Sequence, residues 1–435
     1  MFLCRTIFIA CLLNTVSGSA FDCQKVADDY CAVNCLTNDD IQSKSCDGPM
    51  IALKGKSEKD DQSKFRCYSP STLNDDQTEY ASGTCYCTRD SQIESLMAEC
   101  ENDISISTVF SGGEDGAACY RIPAIIKLPS GTLLAFAEQR VSDCGDNGNN
   151  NIVLRRSFDD GVTWGPIQHV AMSDGGAYSN PNTAIVYKDD GSWSVLLHYD
   201  TMNNPSSSRP GKNMQTWSSD DGESWDAPVD ITDFFPEASK GCMPGPAIGL
   251  QNNVEGHEQQ GRIYFNCHSG NSGGEHILYW SDDLGTTWTS GEEITDLNEC
   301  SIAFLPSTNS SVLMNCRTGK GTRGEVVFSP DGLPTGDAFY PSGLDDPGCQ
   351  GSIIQKGQTD DGEDVIYQSN AVGDGRSHMT VKVSQDSGKT FDGGKLVWSG
   401  PAAYSQLVDG GDYVGLLFEL GEESTYESIG FAIVG

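Results

Sequence analysis

Basic residues are scarce in this chain. Its 435 residues hold 27 Lys and Arg against 62 Asp and Glu, a formal charge of −35. So anionic a surface repels phosphate backbones and acidic headgroups, which argues against nucleic acid and anionic membranes as partners. Long apolar runs are scarcer still. Past residue 20 none reaches the roughly 18 residues that a helical membrane span needs. Long stretches of 3.6-residue apolar period are missing too, which argues against a helical fold. Histidine is rare, with six in all and none before His169. That counts against a metal site in the cysteine-dense stretch that precedes it.

Glycine, by contrast, is abundant, with 49 residues, and one turn motif recurs around it. It reads SFDDGVTW at 157–164, SSDDGESW at 218–225, SDDLGTTW at 281–288 and SQDSGKTF at 384–391, with a weaker copy, SPDGLPTG, from Ser329. Successive starts lie 61, 63, 48 and 55 residues apart. In each copy the Asp side chain can accept from nearby backbone N–H groups, Gly takes the φ > 0 position, and the aromatic packs beneath. Apolar strands precede them at 151–155, 277–280 and 378–383. One small sheet per repeat at this spacing predicts a β-propeller. Residues 108–435, divided by six, give about 54 residues per sheet, so the expectation is an all-β, six-bladed propeller. Its last apolar strand, 428–434, is expected to pair near the start of the domain and close the ring.

The first 20 residues, MFLCRTIFIACLLNTVSGSA, place a basic Arg5 before an apolar run and end in small residues. They read as a signal peptide over 1–20, so the mature chain is expected to be secreted or lumenal. Of 17 cysteines, Cys4 and Cys11 leave with that signal, and eight crowd between Cys23 and Cys100. Residues 21–105 are therefore expected to form a small disulfide-stapled domain. Adhesion, carbohydrate binding and self-association are all open to it. The 15 remaining cysteines are an odd number, so at least one thiol is free or bonded to another chain. Asn309, in NSS, is the one N-glycosylation sequon with an allowed middle residue.

The turn repeats carry fold, not activity. Chemistry enters with CYRIP at 119–123, followed by a hairpin that ends in FAEQR at Arg140. With this motif before the first repeat, residues 117–434 resemble the sialidases, whose first catalytic arginine sits in a Phe/Tyr-Arg-Ile-Pro motif. The resemblance implies a clamp of three arginines on a substrate carboxylate. These are Arg121, Arg317 in VLMNCRTG, and Arg376 in GDGRSHMTVKVS. Guanidinium recognises carboxylate bidentately and keeps its charge when desolvated. The resemblance further implies Tyr404, in GPAAYSQLV, as a nucleophile activated by Glu299, in DLNECSIAF. Asp146 matches the general acid/base, with Asp143 three residues earlier as its rival. Glu419, in LLFELGEE, matches the residue that orients Arg121, and Glu138 and Arg140 match pocket-lining positions. Pairing the strands around CSIAFLPSTNSSVLMNC would bring Glu299 beside Arg317. Cys119 and Cys144, each two residues before a site residue, are expected to form a disulfide pinning the Asp146 loop. Cys300 and Cys316 are a second expected pair.

The implied activity is a secreted, retaining exo-α-sialidase acting on sialylated glycoproteins, glycolipids or oligosaccharides, with a Tyr nucleophile. It needs no metal or organic cofactor, although so acidic a chain offers ligands for a structural calcium. A non-catalytic sialoglycan-binding propeller would need the arginines but not Tyr404, Glu299 and Asp146. Transfer to another glycan, or action on a related ulosonic acid such as Kdn, would use the same residues.

Overall fold

The structure, a computed structural model, describes residues 104–202, 211–268, 276–373 and 375–435. Before residue 104 it describes only the backbone of three short strands, Ile51–Ala52, Lys64–Tyr68 and Cys85–Thr88, paired antiparallel in that order. The expected signal peptide, the pairing of the eight N-terminal cysteines and self-association through them fall outside the described residues. By compactness the chain divides between Asp103 and Ile104.

Beyond Ile104 the chain runs through successive antiparallel sheets. Cys119–Lys127, Leu133–Arg140, Asn150–Ser157 and Gln168–Ala171 form the first. Ala177–Tyr187, Trp193–Met202, Lys212–Ser218 and Val229–Asp230 form the second, joined to it by one parallel pair, Asn150 opposite Ala177. The third is built on Ile263–His268, His276–Ser281 and Thr289–Ser290. Asn298–Leu305, Ser311–Arg317 and Gly324–Phe328 form the fourth. Gly351–Gln358, Asp364–Gly373 and Ser377–Ser384 form the fifth, which ends on the first part of Asp392–Asp409. The second part of that strand opens the last sheet, followed by Val414–Leu420 and Ser428–Ile433. Ile106–Ser111 completes this last sheet by pairing antiparallel with Ser428–Ile433. The edge that would otherwise be open is thus covered by the strand that comes first in the body. Strands packed on both faces are buried throughout, as in Leu133–Arg140, LLAFAEQR.

The four clear turn repeats share one hydrogen-bond pattern. In the first, Ser157 Oγ donates to Asp159 Oδ1 (2.8 Å) and accepts from the Gly161 N–H (2.9 Å). The Asp159 carboxylate accepts from the Thr163 N–H (2.9 Å) and hydroxyl (2.6 Å). Asp220, Asp283 and Asp386 do the same. Two successive residues take positive φ, such as Asp160 (52°) and Gly161 (83°), where the motif alone called for one. The reason for glycine is also steric. A Cβ on Gly161 would meet Phe431 at 2.3 Å, on Gly222 Leu134 at 3.1 Å, on Gly285 Trp217 at 2.7 Å, and on Gly388 Leu313 at 2.8 Å. Each turn therefore presses on the sheet before its own, and the first presses on the last sheet. The aromatics follow: Trp164 meets Phe431, and Trp225 meets Phe136, both edge to face. The copy at Ser329 is different. Its Asp331 accepts from Gln259 instead, and the turn closes from Gly332 N–H to the Ser329 carbonyl.

Candidate active site

Three of the candidate residues, Arg121, Glu299 and Tyr404, sit where strands lose register. The first sheet bulges between Arg121 and Ala124, and Ile122 takes φ 57°. The fourth bulges between Asn298 and Cys300, leaving Glu299 at φ 39°. The last is irregular between Ala402 and Ser405, around Tyr404. Arg376 has φ 65° at the mouth of its strand. A β-branched residue at positive φ is strained by about 1–3 kcal/mol. Bulges re-aim side chains that strict alternation would send to one face or the other. Here they turn residues from distant sheets toward each other.

Glu419 is fully buried and organises the first arginine. It accepts from Arg121 Nε (3.1 Å) and Nη2 (3.4 Å), from the Ile122 N–H (2.9 Å), and from the Tyr404 N–H (3.0 Å). One carboxylate thereby fixes Arg121, its strained neighbour and the backbone of Tyr404. Burial opposes the charge on Arg121, but Glu419 outweighs it and raises its pKa above the usual value. Arg140 is held through Nε (2.9 Å) and Nη2 (2.7 Å) by Glu138, which also accepts from the Asn180 N–H (2.8 Å). Glu138 is itself fully buried, so it acts from behind Arg140. Burial raises its pKa, and Arg140 opposes that rise.

Asp146 Oδ1 bridges the two arginines, at 2.7 Å from Arg140 Nη1 and 3.3 Å from Arg121 Nη1. Its side chain is 68% exposed, where the arginines are buried. Asp143 points elsewhere, accepting from the Gly145 N–H (2.6 Å). Cys119 and Cys144 are disulfide-bonded, which ties the Asp146 loop to the Arg121 strand. Closing a loop of that length restricts the unfolded chain by about 3–4 kcal/mol.

Across the site, Tyr404 donates its phenol to Glu299 Oε1, and Arg317 Nη1 donates to Glu299 Oε2 at 2.6 Å. Burial would raise the Glu299 pKa, but Arg317, then His268 and the Tyr404 hydrogen bond, hold it below its usual value. Burial first and the Glu299 charge second raise Tyr404 well above an ordinary phenol. The resting pair is thus a protonated phenol on an ionised carboxylate. The bulge explains the approach: Asn298 faces Arg317, Cys300 faces Cys316, and Glu299 projects between them. Cys300 and Cys316 form a second disulfide. Arg376 Nη1 donates to the Tyr426 hydroxyl at 2.9 Å, and its guanidinium lies 5.5 Å from the Tyr404 ring centroid.

The structure brings the nine candidate residues together, and it adds three features that the sequence does not signal. Tyr426 lies in GEESTYE, where nothing local distinguishes it from an ordinary surface tyrosine. Cys242–Cys267 is a third disulfide between residues in no recognised motif. Cys349 is the one free cysteine among the described residues, and it packs with Ile122, Ala403 and Tyr404. Among the described residues no group of three or more His, Cys, Asp or Glu is placed to hold a metal.

Comparison with known proteins supplies the family. The BNR repeat-like domain family matches residues 131–417, about two thirds of the chain. A sialidase of Micromonospora viridifaciens is 28% identical over 362 residues, covering 77% of this chain. The chain spans 54% of that relative's length. Sialidase-3 of Rattus norvegicus is 28% identical over 396 residues, covering 75% of this chain and 93% of its own. Among solved structures, the Hadza microbial sialidase Hz136 superposes with a TM-score of 0.65 at 24% identity, over 76% of this chain and 68% of that one. The chain belongs to the sialidase family with BNR repeats.

Proposed function

We propose that this protein is an exo-α-sialidase that releases terminal α-linked sialic acids from glycoproteins, glycolipids or oligosaccharides with retention of configuration. The observation that carries the reading is the Tyr404 phenol donating to Glu299 beside a group of arginines drawn from separate sheets. A binding site has use for the arginines, but not for a phenol on a buried base.

The chemistry follows from the substrate. Sialic acid carries its carboxylate on the anomeric carbon, so a carboxylate nucleophile would approach against like charge. A neutral phenol avoids that repulsion. Arg121, Arg317 and Arg376 receive the carboxylate, and Arg140 lines the pocket beside them. An arriving carboxylate takes over the contacts that Asp146 makes in the resting site and frees Asp146 to meet the leaving oxygen. Released from both guanidiniums, Asp146 takes up a proton from water and gives it to that oxygen as the glycosidic bond breaks. The Tyr404 oxygen bonds to the anomeric carbon, and its proton passes to Glu299. Water then attacks, giving a proton to Asp146, while the departing phenoxide recovers its proton from Glu299. Both groups return to the states they held before the glycosidic bond broke.

The same reading includes a six-bladed propeller ring, secretion after removal of residues 1–20, and a glycan on Asn309. Asn309 is exposed at a hairpin tip with φ 58°. The decisive experiment is release from a fluorogenic α-sialoside by the secreted protein, with Tyr404→Phe beside it. Release by the parent and a loss of about a hundredfold or more in the variant are expected. Tight binding of sialoglycans without release would support a binding propeller instead. Identifying the product by NMR separates hydrolysis from transfer.

A further inference from the structure

Among the described residues Arg121, Arg140 and Arg317 each have a carboxylate partner, and Arg376 has none. Its orientation rests on the hydroxyl of Tyr426, which accepts from Nη1 at 2.9 Å. The same tyrosine presents its ring to Arg121, whose guanidinium carbon lies 4.2 Å from the ring centroid. The Tyr404 ring also lies against Arg121, with its centroid 4.9 Å from the guanidinium carbon. Two cations that repel each other are therefore served by one neutral side chain, one on its π face and the other on its oxygen lone pair.

We propose that Tyr426 is a positioning residue that aligns Arg121 and Arg376 for a ligand carboxylate without neutralising either. The proposal rests on the sialidase reading of the site. A glutamate at 426 would pair with Arg376 and compete with the incoming anion. A leucine would leave Nη1 unpaired and the guanidinium free to swing. Tyrosine supplies an acceptor and a quadrupole but no charge, so the clamp keeps its positive charge for the ligand. The residue is well seated for this task. Its ring packs against the cluster of Ile122, Cys349, Ala403 and Tyr404. The turn that carries it is fixed by Glu427, which accepts from the N–H groups of Glu422 (3.0 Å), Glu423 (2.9 Å) and Ser424 (2.7 Å).

The test is steady-state kinetics on the α-sialoside, together with calorimetric binding of free N-acetylneuraminic acid, for the parent, Y426F, Y426L, R376K and Y426F/R376K. Y426F keeps the ring and loses the acceptor. It should raise KM and the Kd for the free acid by roughly ten- to hundredfold, the scale of one hydrogen bond to a charged group, with kcat within about threefold. In the R376K background the Y426F penalty should largely vanish, since the two act as a unit. Y426L loses the ring as well and should bind more weakly than Y426F. An unchanged KM and Kd in Y426F, or a full penalty surviving in R376K, would overturn the proposal. A parent that binds the acid but turns over no α-sialoside would defeat the sialidase reading while the Kd values still judge Tyr426. A parent that binds nothing defeats both.

Discussion

At the residue scale the site is a set of carboxylates with divided duties. Glu419 and Glu138 are buried behind arginines and serve orientation, Glu299 serves the phenol, and Asp146 alone reaches solvent. Glu299 is the most exposed to perturbation, because burial and Arg317 push its pKa in opposite directions. Arg317→Met should remove the largest opposition to burial and move the acid limb of kcat/KM to higher pH. It should also cost about 2–5 kcal/mol of transition-state stabilisation at neutral pH, from an underpaired buried charge. A pH–rate profile reads both, and an unmoved acid limb would reject Arg317 as the group that keeps Glu299 ionised. Most of these residues were reached through the sialidase resemblance, which YRIP carries and which extends to the short segments around Glu299, Arg376 and Tyr404. The choice of Asp146 over Asp143 was not. It depends on which carboxylate the loop turns toward Arg140, and composition does not say.

At the scale of the element, the turn repeat is a clasp between neighbouring sheets, and the glycine is where it closes. Gly161→Ala combines a positive φ with a Cβ 2.3 Å from Phe431. Gly131→Ala has a similar φ (93°) and nothing within 4 Å. The first should destabilise by about 2–5 kcal/mol and the second by about 1–2, since only one of them overpacks a neighbour. Denaturation midpoints of the two variants measure the difference, and equal losses would reduce the turn to a local hairpin. The four turns were legible because Ser, Asp, Gly and the aromatic lie within eight residues. Their docking partners were not, because Phe431 lies 270 positions from Gly161. The copy at Ser329 shows the converse: a partial pattern folded into another turn once its Asp found Gln259. Cys242 and Cys267 were likewise brought together by strand pairing, which no spacing encodes.

At the scale of the whole molecule, buried ionisable groups set how stability depends on pH. Burial pushes His198 down to about 3. The native state keeps it neutral while the unfolded chain protonates it near 6.5, so its share of stability is lost as pH falls from about 6.5 toward 3. Glu325 acts in the opposite direction. Burial pushes its carboxyl up to about 8 against the opposing pull of Asn315 and Arg323. Its native form holds a proton that the unfolded chain releases above about 4.5, so stability falls as pH rises toward 8. Glu325→Gln should remove that decline and be the more stable protein at pH 8–9, by an amount on the order of a few kcal/mol. Chemical denaturation across pH 5–9 gives the answer, and parallel curves for parent and variant would reject it.

The strand that completes the last sheet, Ile106–Ser111, is followed by its partner, Ser428–Ile433, only after more than 300 further residues. During translation at roughly 5–20 residues per second, that interval lasts on the order of tens of seconds. For all of it the first clasp, Gly161 and Trp164, has no Phe431 to close on. Tyr404 and Glu419 emerge in the same late stretch. A nascent chain of this protein therefore waits, sheet edges open and Tyr404 not yet made, until its last sheet leaves the ribosome.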